Sequence, residues 1–432
     1  MRFYFVNLLV IVLLNAEGLE KLTLTDALTT LEKQNIELKI ATFQTKLKQH
    51  EAEMSSAHHW GSLDLEQNVL DSDDAGNVFG FKVASREVVA ADFDPTKLNN
   101  PESRTLYQTK FTYKLPLFVG GKISAGSEIT DALVSLSSLD GEALKFKKQY
   151  ELQKSFYDIA LLHEFIVDLK KIKSNLETIE SVTQSMIVEG YAKKIDMLEV
   201  KSKQAGTQRL LTQSQGHLKL ALEYVSFLLN EQVNSIDTDA LKPLSLVDKK
   251  VDIKALTMVK KAALGVAISK ELTTVADSDF FPTIGAFAEY SSANDSFTGA
   301  FSDHAAYTVG VQLKWNLFSG MSSLHQSQKA RVKLLKSKQE FMLAQKALGL
   351  KINSLKTEIR SLNAELISIE AQLRFQEKIV DNYRNRYAEK LSPITDVMQA
   401  ESIHIQKVLE YKKTRNENND KILQLHMLTQ GL

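Results

Sequence analysis

The chain has 432 residues, with 53 basic and 53 acidic side chains and a formal net charge of zero. That balance argues against a nucleic-acid binder, which normally carries a basic excess, and the absence of cysteine excludes a disulfide framework, a thiolate zinc site, a thiol nucleophile and a lipidated N-terminal cysteine. Only 6 prolines and 18 glycines in a chain that is 44% hydrophobic and 25% charged fit long helices better than a loop-rich β protein.

Residues 1–18 read as a secretory signal. Arg2 gives a basic start, Phe3 to Leu14 form an apolar run of about 12 residues, and the small residues Ala16 and Gly18 follow. A bilayer-spanning helix needs about 20 apolar residues, and no later segment reaches that length. The chain is therefore expected to be periplasmic, secreted, or a β-barrel of an outer membrane.

Shifting the sequence by 200 residues superposes two windows without a gap. Tyr107 to Gly120 falls on Tyr307 to Gly320, and Glu189, Gly190 and Asp196 fall on Glu389, Lys390 and Asp396. Two windows in one register imply an internal duplication. The first repeat is expected over 19–250: a helix over 25–57, strands at about 61–70 and 104–118, long helices over 122–189 and 196–232, and a linker over 233–250. The second is expected over 251–432, with a helix over 253–276, strands at about 283–291 and 305–318, and long helices over 321–389 and 396–430.

The strands alternate with period two. Tyr107, Phe111, Tyr113, Leu115 and Leu117 share one face, while Gln108, Lys110, Thr112 and Lys114 share the other. Tyr307, Val309, Val311, Leu313, Trp315 and Leu317 repeat the pattern against Thr308, Gly310, Gln312, Lys314 and Asn316. One side of such a sheet meets lipid or core and the other meets water. The segments 71–104 and 292–304, rich in Asp, Asn, Ser and Gly, read as loops. In the long helical stretches Ile352, Leu355, Ile359, Leu362, Leu366, Ile369, Leu373, Val380, Tyr383 and Tyr387 keep a coiled-coil 3-4 spacing broken only at Gln376. A helix from Lys122 to Glu189 would run about 100 Å at 1.5 Å per residue, a length suited to spanning a distance.

Four strands of membrane-crossing length cannot close by themselves, and a lipid-exposed edge leaves backbone groups unpaired. Two chains would give an eight-stranded barrel, filled by its own side chains, whereas three would give a twelve-stranded barrel with a lumen. The fold class expected is thus mostly α with membrane β: a trimeric twelve-stranded barrel, four strands from each chain, continuing into a long α-helical coiled-coil tunnel.

The strand-to-helix turns Leu117-Phe118-Val119-Gly120-Gly121 and Leu317-Phe318-Ser319-Gly320 resemble those of the TolC-like outer-membrane efflux protein family. The helix tips Glu189-Gly190-Tyr191-Ala192-Lys193-Lys194-Ile195-Asp196 and Glu389-Lys390-Leu391-Ser392-Pro393-Ile394-Thr395-Asp396-Val397 resemble that family's tips. The resemblance implies an outer-membrane location with a tunnel in the periplasm, and the role of exit duct in a tripartite efflux or type I secretion system. It implies three partners besides outer-membrane lipid: two further copies of the chain in a homotrimer, a periplasmic adaptor (membrane fusion protein) and an inner-membrane transporter.

By the same resemblance Asp196, Asp396, Tyr387 and Gln399 are candidates for a periplasmic gate. Gly190, Tyr191, Lys390, Leu391 and Ser392 are candidates for adaptor docking, and Gly120, Gly121 and Gly320 for the strand-helix turns. A ring of three carboxylates at Asp396 would favour cations. Asp196 and Asp396 also sit where a carboxylate caps a helix start, and that simpler reading stays open. The tips depart from the family at three positions: Lys390 stands at a usual glycine, Ser392 where the best-known member has a gate arginine, and Gln399 where it has a second aspartate.

No phosphate-binding loop, dinucleotide fingerprint, serine-hydrolase elbow or zincin motif occurs, so no catalytic residue and no cofactor is expected. The pair His58-His59 lacks a third ligand placed by sequence and reads as a solvated helix end. The other reading is a non-conducting coiled-coil protein of the cell envelope, which alternating strands of membrane length disfavour. The transported substrate leaves no mark in the sequence.

Overall fold

The computed structural model describes residues 18–246, 251–297 and 305–429. The expected signal segment, apart from Gly18, lies outside them. The chain divides into two compact units: Met1–Phe43, Leu139–Lys260 and Ala344–Leu432 form a helical unit, and Gln44–Ser138 with Lys261–Leu343 form a unit that contains the sheet. The elements in chain order are α1 (Leu24–Gln34), α2 (Ile36–Ala57), β1 (Ser62–Ser72), α3 (Ala75–Ala84), α4 (Pro95–Asn99), β2 (Arg104–Phe118), α5 (Lys122–Val188), α6 (Lys194–Leu229), α7 (Thr257–Asp277), β3 (Thr283–Asn294), β4 (Ala305–Lys314), α8 (Ser322–Ala388) and α9 (Ile394–Leu428).

The strands form one antiparallel sheet in the order β1-β2-β3-β4. Its register puts Leu65 opposite Phe111 and Phe111 opposite Tyr290, so the apolar residues of successive strands share a face. That face is open: Leu63, Leu65, Val309, Val311 and Leu313 are 61–69% exposed. The other face is polar and carries a Lys110–Glu289 ion pair at 2.7 Å. A sheet that leaves this apolar surface outward has water on the wrong side for a soluble protein, and lipid is the solvent that suits it.

Three expectations need correcting. The fourth strand, expected to reach residue 318, ends at Lys314, which pairs with Thr283, the first residue of β3; the residue before Thr283 is Pro282, which has no N–H to extend the ladder. Trp315 instead donates its indole N–H to the Phe280 carbonyl at 3.2 Å. The segment 71–104, expected as a loop, holds α3 and α4, whose starts Asp74 and Asp94 cap by accepting from the Asn77 and Thr96 backbone N–H groups. Finally, the helix expected over 25–57 breaks at Asn35, which leaves helical geometry at ψ 123°.

Asn35 is 3% exposed, and its side chain serves the start of α2 and the end of α6 together. Its amide donates to the Leu228 carbonyl at 2.8 Å while its Oδ1 accepts from the Leu38 N–H at 3.0 Å. Beside it α1, α5 and α6 close a core of Leu31, Leu152, Phe156, Ile159, Val225, Leu228 and Leu229, all fully buried. The turn from β2 into α5 needs glycine: Gly120 and Gly121 have φ 64° and 82°, and a Cβ on Gly120 would lie 2.7 Å from the Ser278 carbonyl oxygen. At the matching turn Gly320 has φ 63° with open space around it, and Met321 follows at φ 67°.

Replacing Asn35 by Leu orphans the Leu228 carbonyl and the α2 start together. Thermal unfolding in detergent should show a loss of about 1–3 kcal/mol. An unchanged midpoint would show that the α1–α2 break does not depend on this side chain.

Candidate functional site at the helix tips

Two helical hairpins of the helical unit, α5–α6 and α8–α9, reverse through turns of the same form. In the first, Gly190 takes φ 82° and the Tyr191 N–H donates to the Met186 carbonyl at 2.8 Å. In the second, Lys390 takes φ 63° and the Leu391 N–H donates to the Arg386 carbonyl at 2.7 Å. Left-handed backbone is easy for glycine but costs a β-carbon-bearing residue about 1–2 kcal/mol, so Lys390 departs from the economical choice.

Its side chain ties the two turns together. Lys390 Nζ lies 2.8 Å from Glu189 Oε2 and 3.8 Å from the centre of the Tyr191 ring. The hydrogen bond to Glu189 raises the Lys390 pKa above the ordinary lysine value. Deeper in, Tyr387 is 5% exposed and its hydroxyl lies 2.9 Å from Thr183 Oγ1. Thr183 Oγ1 already donates to the Ile179 carbonyl, so Tyr387 is the donor between them. Burial is the main cause that pushes the Tyr387 phenol up from its usual pKa. Around this bond α5, α6, α8 and α9 share a core that includes Ile179, Met186, Val200, Ile394, Val397 and Met398.

The two aspartates differ for a definite reason. Asp196 accepts from the Lys193 backbone N–H at 2.7 Å, closing a cap at the positive end of α6. The residue in the equivalent place before Asp396 is Pro393, which has no N–H to give. The capping reading therefore accounts for Asp196 and does not extend to Asp396. Asp396 instead lines a groove of about 560 Å³ between α8 and α9, together with Gln399, Tyr383, Arg386, Lys378 and Phe375. Gly190, Tyr191, Lys390 and Leu391 are all exposed at the ends of the hairpins, while Ser392 is partly buried with no hydrogen-bond partner for its hydroxyl among the described residues. Gly120, Gly121 and Gly320 belong to the other unit and serve the turns described above.

Two features escape a reading by residue type. Gln376, the break in the α8 heptads, is 7% exposed and donates to the Ala400 carbonyl of α9 at 3.0 Å, a backbone partner that no side-chain pattern reveals. Glu401 is fully buried with neither carboxylate oxygen hydrogen-bonded among the described residues, and the His404 ring lies 3.8 Å away. Its place on the core line of α9, between Val397 and Ile405, is the sequence signal that marks it as buried. His58 and His59 spend their Nδ1 atoms on the Ser55 and Ser56 carbonyls.

Residues 257–417 match the family model described as "Outer membrane efflux protein". That match lies in the second half of the chain. No curated protein matches the sequence. Among solved structures, CusC, whose description concerns folding and transmembrane channel formation, superposes with a TM-score of 0.81 at 12% identity, covering 94% of this chain and 91% of that one. A membrane protein from Pseudomonas aeruginosa gives 0.81 at 11% identity over 94% and 90% of the two chains. The outer membrane protein VceC from Vibrio cholerae gives 0.78 at 14% identity over 94% and 96%. At those identities the likeness is one of fold, and the fold is TolC-like: a four-stranded sheet with long paired helices.

A buried carboxylate that makes no hydrogen bond costs more than an apolar side chain of similar size. Glu401→Leu should therefore raise stability by about 1–4 kcal/mol, read as a higher unfolding midpoint in detergent. A lower midpoint would mean that Glu401 has a partner essential to the packing of the tips.

Proposed function

We propose that this protein is the exit duct of a tripartite efflux or type I secretion system, passively conducting substrate delivered by an inner-membrane transporter through a periplasmic adaptor. One observation carries the reading most directly: the sheet has an open apolar face and two unpaired edges, β1 and β4, and the helices that adjoin those edges carry exposed apolar stripes. On α2 the stripe is Ile36, Ile40, Leu47 and Met54, and on α8 it is Val332, Leu335, Leu343 and Leu350, all 53–72% exposed. Edges and stripes thus fall on the same two elements in sequence, at the start and end of the sheet order. The two sides differ from each other, so they cannot pair isologously; a head-to-tail arrangement satisfies both and closes into a ring. Three copies give twelve strands and a lumen, which two do not.

The description of the matched family favours efflux over protein secretion. The equal lengths of α5 and α8, 67 residues each, support the duplication with repeats over 19–250 and 251–432. In this reading the periplasmic aperture lies at the tips. Asp396 and Gln399 line it, Tyr387 holds the second hairpin against the first, and Asp196 is a cap that shapes the first tip. Gly190, Tyr191, Lys390, Leu391 and Ser392 form the surface an adaptor meets, and catalysis has no part in it. A non-conducting envelope coiled coil would give the helices a purpose but would leave the outward apolar face of the sheet without one.

Native mass in mild detergent should come to three chains, and the purified protein should conduct in planar bilayers. A monomer from fractionated outer membranes would overturn the duct. Within a conducting protein, Asp396→Ala should weaken block by multivalent cations added on the periplasmic side, whereas Asp196→Asn should leave that block nearly unchanged. Equal block in the wild type and Asp396→Ala would remove Asp396 from the aperture.

A further inference from the structure

The β1–β2 connection, residues 73–103, and the residues that follow β3, 295–297, lie at the end of the sheet away from the turn into α5, which in the duct is the outer mouth. The second connection is short. The first is three times as long and is built rather than loose. Asp74 caps α3. Lys82 pairs with Asp92 at 2.6 Å, Asp92 also accepts from the Val89 N–H at 2.8 Å, and Glu87 pairs with Arg104. Phe79 and Phe93 meet edge to face at 5.7 Å. Arg86 reaches the far side of the sheet, where its guanidinium donates to the Ala305 carbonyl at the start of β4 at 2.7 Å.

The side of the sheet that receives this element can be read from parity. α3 packs against β2 and β3. The buried residues at the outer end of those strands include Leu106, 3% exposed, and Ala293, 5% exposed. Leu106 shares its face with Gln108 and Lys110, and Ala293 is the cross-strand partner of Gln108. Both therefore belong to the polar face, the one opposite the lipid-facing residues. Two apolar residues on a polar face are anomalous by themselves and are explained if α3, whose Val78 is 5% exposed, covers them.

The geometry points to a plug: residues 73–103 fold inward over the polar face at the outer mouth of the channel and narrow it, held there by Arg86 and the Lys82–Asp92 and Glu87–Arg104 pairs. The inference rests on the duct reading, because only in a closed barrel is the polar face a lumen. Its effect is a size limit on what enters from outside.

The absence of native cysteine makes the test simple. Thr308→Cys places a thiol on the polar face of β4 and Val309→Cys places one on the apolar face. Each is labelled in whole cells with a bulky membrane-impermeant maleimide, in three backgrounds of the full chain: unaltered, with 75–99 replaced by a short Gly-Ser linker, and with Arg86→Gly. The last removes the pinning side chain while suiting the φ of 55° at that position. Labelling of the Thr308→Cys thiol should be slow in the unaltered background, about tenfold faster without the segment and severalfold faster in Arg86→Gly, as expected when a gating element is removed or weakened. Equal rates in all three backgrounds, in a protein that conducts, would overturn the plug and leave the duct standing. Labelling of the Val309→Cys thiol alone, in every background, would reverse the faces and overturn duct and plug together.

Discussion

Everything in this protein follows from a sheet that cannot be finished by one chain. Four antiparallel strands with one apolar face and two open edges present a row of unpaired N–H and C=O groups at each side, and in hydrocarbon each such group costs several kcal/mol. In the proposed duct, closure with other copies of the chain removes that cost. The helices inherit the same incompleteness. The stripes on α2 and α8 are apolar for the reason the edges are open: both await a neighbour. The stability of the assembled protein is thus inseparable from its association.

The tips show how a duplicated unit can diverge by elementary chemistry. Both turns use a left-handed residue after the helix and a carboxylate three residues after the extended residue that begins the next helix. In the first, Lys193 supplies an N–H and the carboxylate becomes a cap. In the second, proline supplies none, and the carboxylate stays free to face the groove between α8 and α9. One backbone hydrogen thus separates a structural aspartate from one available for function. Lys390 makes the complementary exchange, giving up the conformational ease of glycine for an ammonium that reaches Glu189 and the Tyr191 ring. An exposed ion pair of this kind contributes little to stability by itself. Its value lies in position, at the extreme end of two hairpins where few other contacts join them.

Much of this fold is written in local patterns, which is why it can be read without coordinates. Alternation at Tyr107–Leu117 and Tyr307–Leu317 marks strands, and heptads from Ile352 to Tyr387 mark the long helix, because period is set by backbone geometry within the segment. What stays hidden is decided between segments. The end of β4 depends on where β3 starts, and nothing in Trp315-Asn316-Leu317 itself announces it. Asn35 looks like any polar helix residue until the Leu228 carbonyl, 193 positions later, is seen to need a donor. Gln376 looks like a flaw until Ala400 is placed opposite. The candidate tip residues come from the resemblance of both tips to one family, and a 200-residue shift aligns only Glu189, Gly190 and Asp196 with Glu389, Lys390 and Asp396; neither shows that Pro393 deprives Asp396 of its cap.

Glu401 belongs to a third category, a residue that local rules actively misjudge. An acidic side chain on a long helix is normally solvated, yet this one occupies the core line of α9 five positions after Asp396 and makes no hydrogen bond among the described residues. Lys203, whose ammonium donates to Ser402 at 2.6 Å, is held below the usual lysine range chiefly by burial, and only partly restored by the charge of Glu401. The α6–α9 contact therefore contains a polar inclusion whose members are imperfectly paired, between apolar layers that pack well. Incomplete satisfaction of that kind lowers the cost of separating the two helices relative to an all-apolar seam. If the protein is the proposed duct, the weak layer sits beside the residues that would line its aperture, where a seam that parts easily has a mechanical use.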